Sequence, residues 1–305
     1  MMTSMGLPSR RRFLETALAV AAPAADGPID THIHLFDPAR FPYHANATYH
    51  PPAQPLEPYL AFAAQVGLRG VVIVHPEPYQ DDHRYLEYCF DHEPRPNFFK
   101  GTCLFDPVAP DTPKRMEALV RRHPRRFVAL RIHKVQAPGS APTTSGPIKD
   151  RDLRSPAMLD TWAAASRLRI GVQMHFVPGW APQIAELASR FPDVLVILDH
   201  LARAAEAPSA DYEAVLKLAR HPRVVMKYSA VNYSSRQPFP HRDAIPLVRR
   251  VYDAFGPERI VWGGLGHTRP DYDRQVQLFA EMFAFASEAD RARIRAGNAA
   301  RFFAW

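Results

Sequence analysis

Eight short runs of β-branched and apolar residues punctuate this chain, and amphipathic stretches separate them. The runs are Pro28–Phe36, Arg69–Pro76, Phe99–Pro107, Phe127–Val135, Arg169–Pro178, Asp193–Leu201, Arg223–Val231 and Arg259–Gly264. Between them, stretches such as LEPYLAFAAQVG, TPKRMEALVRRH, SPAMLDTWAAASRL and APQIAELASRFP repeat apolar residues at three- and four-residue spacing, the period of a helix with one buried face. Strands that alternate with helices pair in parallel, because each return to the same direction needs a crossover. A doubly wound nucleotide sheet would open with a G-x-G-x-x-G turn, and the chain has none. The expected fold is therefore α/β, a single (β/α)8 TIM barrel over residues 25–305, with no internal domain boundary. The proline- and serine/threonine-rich Val135–Asp150 reads as a long loop after the fourth strand.

In such a barrel the functional site lies at the carboxyl ends of the strands. In PIDTHIHLFDP, the period of two puts Asp30, His32 and His34 on one face, so two imidazoles converge. An H-x-H pair alone fits a metal pair and a satisfied structural pair equally. Further polar residues end the other strands: His75 and Glu77 after the second, Asp106 after the third, Arg131 and His133 on the fourth, His175 on the fifth. Asp199 and His200 follow the sixth, Lys227 lies on the seventh and His267 comes after the eighth. Unrelated surface histidines have no reason to track strand ends. Plainer roles are expected for some neighbours. Asp30 reads as a support for His32, Asp199 as an anchor for loop backbone, and Lys227 as a buried ion partner in the barrel floor. His44, His50, His83, His92, His123 and His221 read as solvent-facing.

Composition narrows the partners. The formal charge of +7 comes from basic residues interspersed with acidic ones and without interleaved aromatics, which argues against nucleic acid and leaves a bias that would draw in an anionic substrate. Two cysteines, Cys89 and Cys103, give no disulfide framework and no thiolate cluster, so any metal would rest on histidine and carboxylate. Residues 1–24, SRRRFL leading into an alanine-rich run with an A-x-A site at Ala22–Ala24, read as a twin-arginine export signal. That predicts a periplasmic protein, with a cytoplasmic enzyme as the alternative. The absence of a long apolar stretch argues against stable membrane insertion. Self-assembly into a homo-oligomer stays open.

DTHIHLFDP, VQMHF, VILDHLAR, RIVWG and RIRAGNAARFFA, in that order, resemble the amidohydrolase superfamily, in particular the branch with dicarboxylate lactonases and carboxymuconate-type decarboxylases. The resemblance implies a hydrolase or lyase acting on a small organic acid or lactone. It also implies that His32, His34 and His175 bind one divalent ion, zinc by ligand chemistry, or that the site works without metal. His200 would polarise the substrate or position water, and Arg131 would hold a carboxylate with its planar fork, beside His75 and His133 at the rim. The chain departs from the family at strand eight. Relatives read like WGSDWPH there, whereas this chain reads VWGGLGHTRP, one residue shorter, with Leu265 in place of the acid. His267 or Asp271 would then reach back into the site, or His200 would act as base. The expected function is lactone hydrolysis by metal- or histidine-activated water; the alternatives are a metal-dependent decarboxylase and a ligand-binding barrel without catalysis.

Overall fold

A computed structural model describes residues 27–140 and 150–305. The export-signal reading of residues 1–24 and part of the proline-rich loop, residues 141–149, lie outside the described residues. The strands are β1 (Ile29–Ile33), β2 (Gly70–Val74), β3 (Phe99–Cys103), β4 (Phe127–Lys134), β5 (Gly171–Phe176), β6 (Val196–Leu198), β7 (Val224–Tyr228) and β8 (Ile260–Trp262). Each falls inside one of the apolar runs. They form one parallel sheet in chain order β1 to β8, the (β/α)8 barrel that the alternation predicts. Nearly every strand residue is buried, which is why these strands read as apolar runs and not as alternating ones.

The connecting helices include α1 (Leu56–Val66), α2 (Arg84–Asp91), α3 (Thr112–Arg122), α4 (Pro156–Leu168), α5 (Ala181–Arg190), α6 (Tyr212–Lys217), α7 (Ile245–Phe255) and α8 (Arg269–Met282). Local chemistry sets their starts. Ser155 caps α4 by accepting from Met158 N at 3.3 Å with Pro156 at the first helical position, and Thr268 caps α8 through Asp271 N. One apolar layer lies between helices and sheet. A second fills the barrel itself, where Ile29, Val72, Ile197 and Val225 meet Phe303 from a carboxyl-terminal helix, Asn298–Phe303. No described helix is long and apolar enough to cross a membrane.

The seam between β1 and β8 is closed mainly by side chains. Thr31 Oγ1 donates to Trp262 O at 2.7 Å, Gly264 N donates to Asp30 Oδ1 at 2.8 Å, and Leu265 N donates to His32 O at 3.2 Å. This seam carries the first two histidines of the site.

Candidate active site

Strand β1 delivers Asp30, His32 and His34 to the mouth as the period of two predicts. Asp30 is fully buried; its Oδ1 also accepts from His32 N at 2.9 Å, and burial raises its carboxyl to about 7. His34 Nδ1 lies 2.7 Å from Val74 O, and a carbonyl only accepts, so Nδ1 carries the proton and Nε2 keeps a bare lone pair. That Nε2 faces His32 Nε2 at 3.4 Å. If His32 donates there, its Nδ1 is bare as well, and it points at Asp199 Oδ1 from 3.7 Å. Both atoms are buried and lack a hydrogen-bond partner.

Asp199, expected to anchor loop backbone, is instead the hub of a side-chain network. Its Oδ2 accepts from Arg131 Nε and Nη2 at 3.3 and 3.2 Å and from Gln173 Nε2 at 3.0 Å, while Lys227 Nζ lies 3.3 Å from Oδ1. Register explains the convergence: Arg131 on β4 pairs with Gln173 on β5, which pairs with Ile197 on β6, two residues before Asp199. Burial alone would raise the Asp199 carboxyl, but the Lys227 ammonium beside it holds it well below the ordinary range. Lys227 is the buried ion partner that its alternation suggests, also donating to Gln173 Oε1 at 2.9 Å and Thr31 O at 3.0 Å. Arg131 lies in the barrel mouth as expected, but two of its nitrogens serve Asp199.

His200 stands across from His32, ring centroids 4.5 Å apart, with Nδ1 fixed by Ser229 Oγ at 2.8 Å. It opens a turn in which His200, Leu201, Ala202 and Arg203 all hold φ between 51° and 56°. Each left-handed non-glycine residue costs roughly 1–2 kcal/mol, so the surroundings impose this turn. Its consequence is that Arg203 folds back over the site: its guanidinium lies 4.0 Å above the Tyr233 ring, pairs with Glu206, and donates from Nη1 to His175 Nε2 at 3.0 Å. The lone pair that would make His175 a metal ligand through Nε2 therefore meets a cation. His133, opposite His175 in the register, lies with its ring 5.3 Å away and is buried. Burial and nearby cations, the Lys227 ammonium for His32 and the Arg131 guanidinium for the others, keep the imidazoles neutral: His34 and His200 fall to about 3, and His32 and His175 well below their usual value.

Three sequence candidates stand outside this cluster. His75 Nε2 donates to Gln80 O at 3.0 Å and its ring stacks on His83, 4.4 Å between centroids. His83, expected in solvent, is buried because its Nε2 accepts from Leu104 N at 3.0 Å beneath Phe105. His267 does reach back, but to the main chain: its Nε2 donates to His34 O at 2.6 Å and its ring packs on Tyr59. Asp271 bonds Thr268 Oγ1 at 2.7 Å in the α8 cap. Strand eight itself has no room for an acid at its glycines. A Cβ on Gly263 would meet His32 Cβ at 2.7 Å, and one on Gly264 would meet Asp30 Oδ2 at 2.7 Å.

Among the described residues, one group of side chains could hold a divalent cation. His32, Asp199 and His200 each offer a ligand atom, all within 4.8 Å of one another, and the facing acceptors His32 Nδ1 and Asp199 Oδ1 are both without a hydrogen-bond partner. His34 adjoins this set through Nε2. The residues that sequence reasoning missed are Gln173, Arg203 and Ser229. Gln173 lies two positions before His175 on β5 and Ser229 two positions after Lys227, just past the end of β7, a period-two signal that was available; the left-handed turn that aims Arg203 left none.

Known proteins resemble this chain along nearly its whole length. The 4-sulfomuconolactone hydrolase of Hydrogenophaga intermedia is 25% identical over 288 residues, covering 91% of this chain and 88% of that protein. A crystal structure from Acinetobacter baumannii, described as a probable 2-pyrone-4,6-dicarboxylic acid hydrolase with citric acid bound, superposes with a TM-score of 0.71 at 17% identity, covering 92% of this chain and all of the other. An amidohydrolase from Burkholderia multivorans with bound zinc superposes with a TM-score of 0.66 at 20% identity, covering 91% and 99%. These structural likenesses are likenesses of fold. The amidohydrolase family profile matches residues 29–305, from the first strand to the last residue, and the chain belongs to that family.

Proposed function

We propose that this chain hydrolyses the lactone ring of a small carboxylated organic acid. The observation that carries this reading is the composition of the mouth: neutral imidazoles of His32, His34 and His200, the first and last of them buried, around one carboxylate, under the positive field of Arg131, Arg203 and Lys227. Opening a lactone puts negative charge first on the carbonyl oxygen and then on the product carboxylate, so donors and cations fixed in advance stabilise both. His200, its Nδ1 held by Ser229, offers Nε2 to the carbonyl oxygen, and its neutrality lets it donate there or take a proton from water. Arg131 and Arg203 hold the substrate's own carboxylate at the edge of the cluster. When a divalent ion is bound, His32, Asp199 and His200 would hold it, zinc by their chemistry, with His200 Nε2 then engaged by the ion in place of the carbonyl, and the ion would supply Lewis acidity toward water or the carbonyl. The names of the relatives, a sulfomuconolactone hydrolase and a pyrone dicarboxylic acid hydrolase, support the same substrate class.

The test is proton release from a panel of carboxylated and uncharged five- and six-membered lactones at fixed pH, with metal measured in the same preparation. Stoichiometric acid release, preference for the carboxylated rings, and a loss of about 10²-fold or more in kcat for His200→Ala are expected. Carbon dioxide release in place of ring opening would overturn the reading in favour of a lyase, and binding without turnover would reduce the barrel to a receptor. We also propose export to the periplasm on the SRRRFL segment. Cell fractionation of the full chain against its Arg10→Lys/Arg11→Lys variant tests this, and equal cytoplasmic retention of both would sink it.

A further inference from the structure

The opposite face of the barrel has a concavity that the hydrolytic site does not use. A cavity of about 470 Å³ opens where β4 to β7 begin, with Val128, Leu195 and Phe302 among its apolar walls and Arg169, Asp193 and Arg223 at its rim. Its volume is in the range of small-ligand pockets. Neither guanidinium has a hydrogen bond or ion pair among the described residues, and Asp193, on the same rim, pairs with neither. Elsewhere the arginines are mostly engaged: Arg126 with Glu93, Arg154 with Glu186 and Arg250 with Glu213.

A comparison within the molecule gives the second observation. Helix α1 ends on Gly67 at φ 68°, its N–H bonding Ala63 O and Ala64 O. Helix α4 ends in the same left-handed geometry, N–H bonding Ala165 O and Ser166 O, but the residue there is Arg169 at φ 55°. Glycine takes that conformation without penalty, whereas a side chain is strained in it. The arginine therefore places a guanidinium at the cavity rim at the expense of helix-end stability.

We propose that this cavity is a second, non-catalytic binding site for a small molecule with one anionic group and an apolar body, its carboxylate or phosphate held by Arg169 and Arg223 and its body against Val128, Leu195 and Phe302. The rim charges, two positive and one negative, match one anionic group. The proposal is independent of the lactonase reading.

Calorimetric titration of the full chain with benzoate, and separately with phenyl phosphate, tests it, with benzyl alcohol as the uncharged control. Benzoate or phenyl phosphate is expected to bind, benzyl alcohol far more weakly. Arg223→Gln and Arg169→Gly should each weaken the anion by about tenfold or more, the loss of one charge-assisted contact. Both variants should keep wild-type hydrolysis, and Arg169→Gly should be no less stable in urea. The relative strength of the two anions tells a carboxylate site from a phosphate one. Absence of binding at millimolar anion, equal binding of the alcohol, or binding unchanged in both arginine variants would overturn the proposal; the last would place the anion at Arg131.

Discussion

Two sides of the barrel mouth are built on opposite principles. On the β1 and β6 side, polar groups crowd together: His32, His34, Asp199 and His200 converge, with Lys227 and Arg131 compensating the carboxylate. On the β8 side the chain offers Gly263, Gly264, Leu265 and Gly266, and no acid. The glycines are not vacancies, because the atoms of His32 and Asp30 already lie where their side chains would be. With no side-chain bulk at its glycines, the segment after β8 presses against β1, and Asp30 receives the Gly264 amide. The glycines that flank Leu265 thus mark close packing against β1 and not room for further side chains.

The largest expected consequence is an asymmetry toward acid. Imidazoles whose folded pKa lies below the unfolded value of about 6.5 leave the unfolded chain binding more protons as pH falls. His34 and His200 at about 3, His75 at about 4, and the further depressed His32, His83 and His175 all act in this direction. Their stabilisation is full above about pH 6.5 and declines as pH drops toward the folded values, by up to about 1.4 kcal/mol per pH unit for each group. Urea midpoints at pH 8, 7, 6 and 5 should fall steeply below the second. Flat midpoints to pH 5 would mean that the histidine side is not buried and neutral, and the contrast would collapse.

Removing the hub comes next. Asp199→Ala leaves Lys227 and Arg131 buried without their shared carboxylate, which costs about 3–5 kcal/mol, whereas Asp199→Asn keeps the shape and costs less while still abolishing most hydrolysis. Urea denaturation of the pair separates charge from packing, and equal losses would show that the charge alone matters there. Gly263→Ala is a smaller insult on the other side: its Cβ must displace His32, costing about 1–3 kcal/mol and slowing hydrolysis by about tenfold. Leu265→Ala, next to it, should be nearly silent. A silent Gly263→Ala would show that the seam has slack.

Much of this was legible beforehand, for identifiable reasons. Parallel strands buried on both faces leave uninterrupted apolar runs, so each observed strand fell inside a predicted one. Period two placed Asp30, His32 and His34 together, and alternation with Val225 made Lys227 a buried ion partner. Asp199 was misread because its partners, Arg131, Gln173 and Lys227, come from three different strands and meet only when the barrel closes. Arg203 was missed because four consecutive left-handed residues have no sequence signature, and none of the four is a glycine. His83 looked exposed on a turn, and only the long-range bond from Leu104 N buries it.

The finest test of the seam concerns Asp30. Burial raises its carboxyl to about 7, above an unfolded value near 3.8, so between those values the folded chain binds the extra proton. Its favourable contribution is full below about pH 3.8 and is lost as pH rises through about 7. Asp30→Asn removes the titration while keeping an oxygen for the amides of His32 and Gly264. The stability of the variant minus that of the wild type should therefore grow from pH 5 to 7, by at most about 1.4 kcal/mol per pH unit, and level off above. The histidine titrations cancel in that difference. A constant difference would mean that Asp30 stays ionised throughout, paired with Lys227, and the β8 end would then hold a charged carboxylate on β1 in place of the one its own sequence lacks.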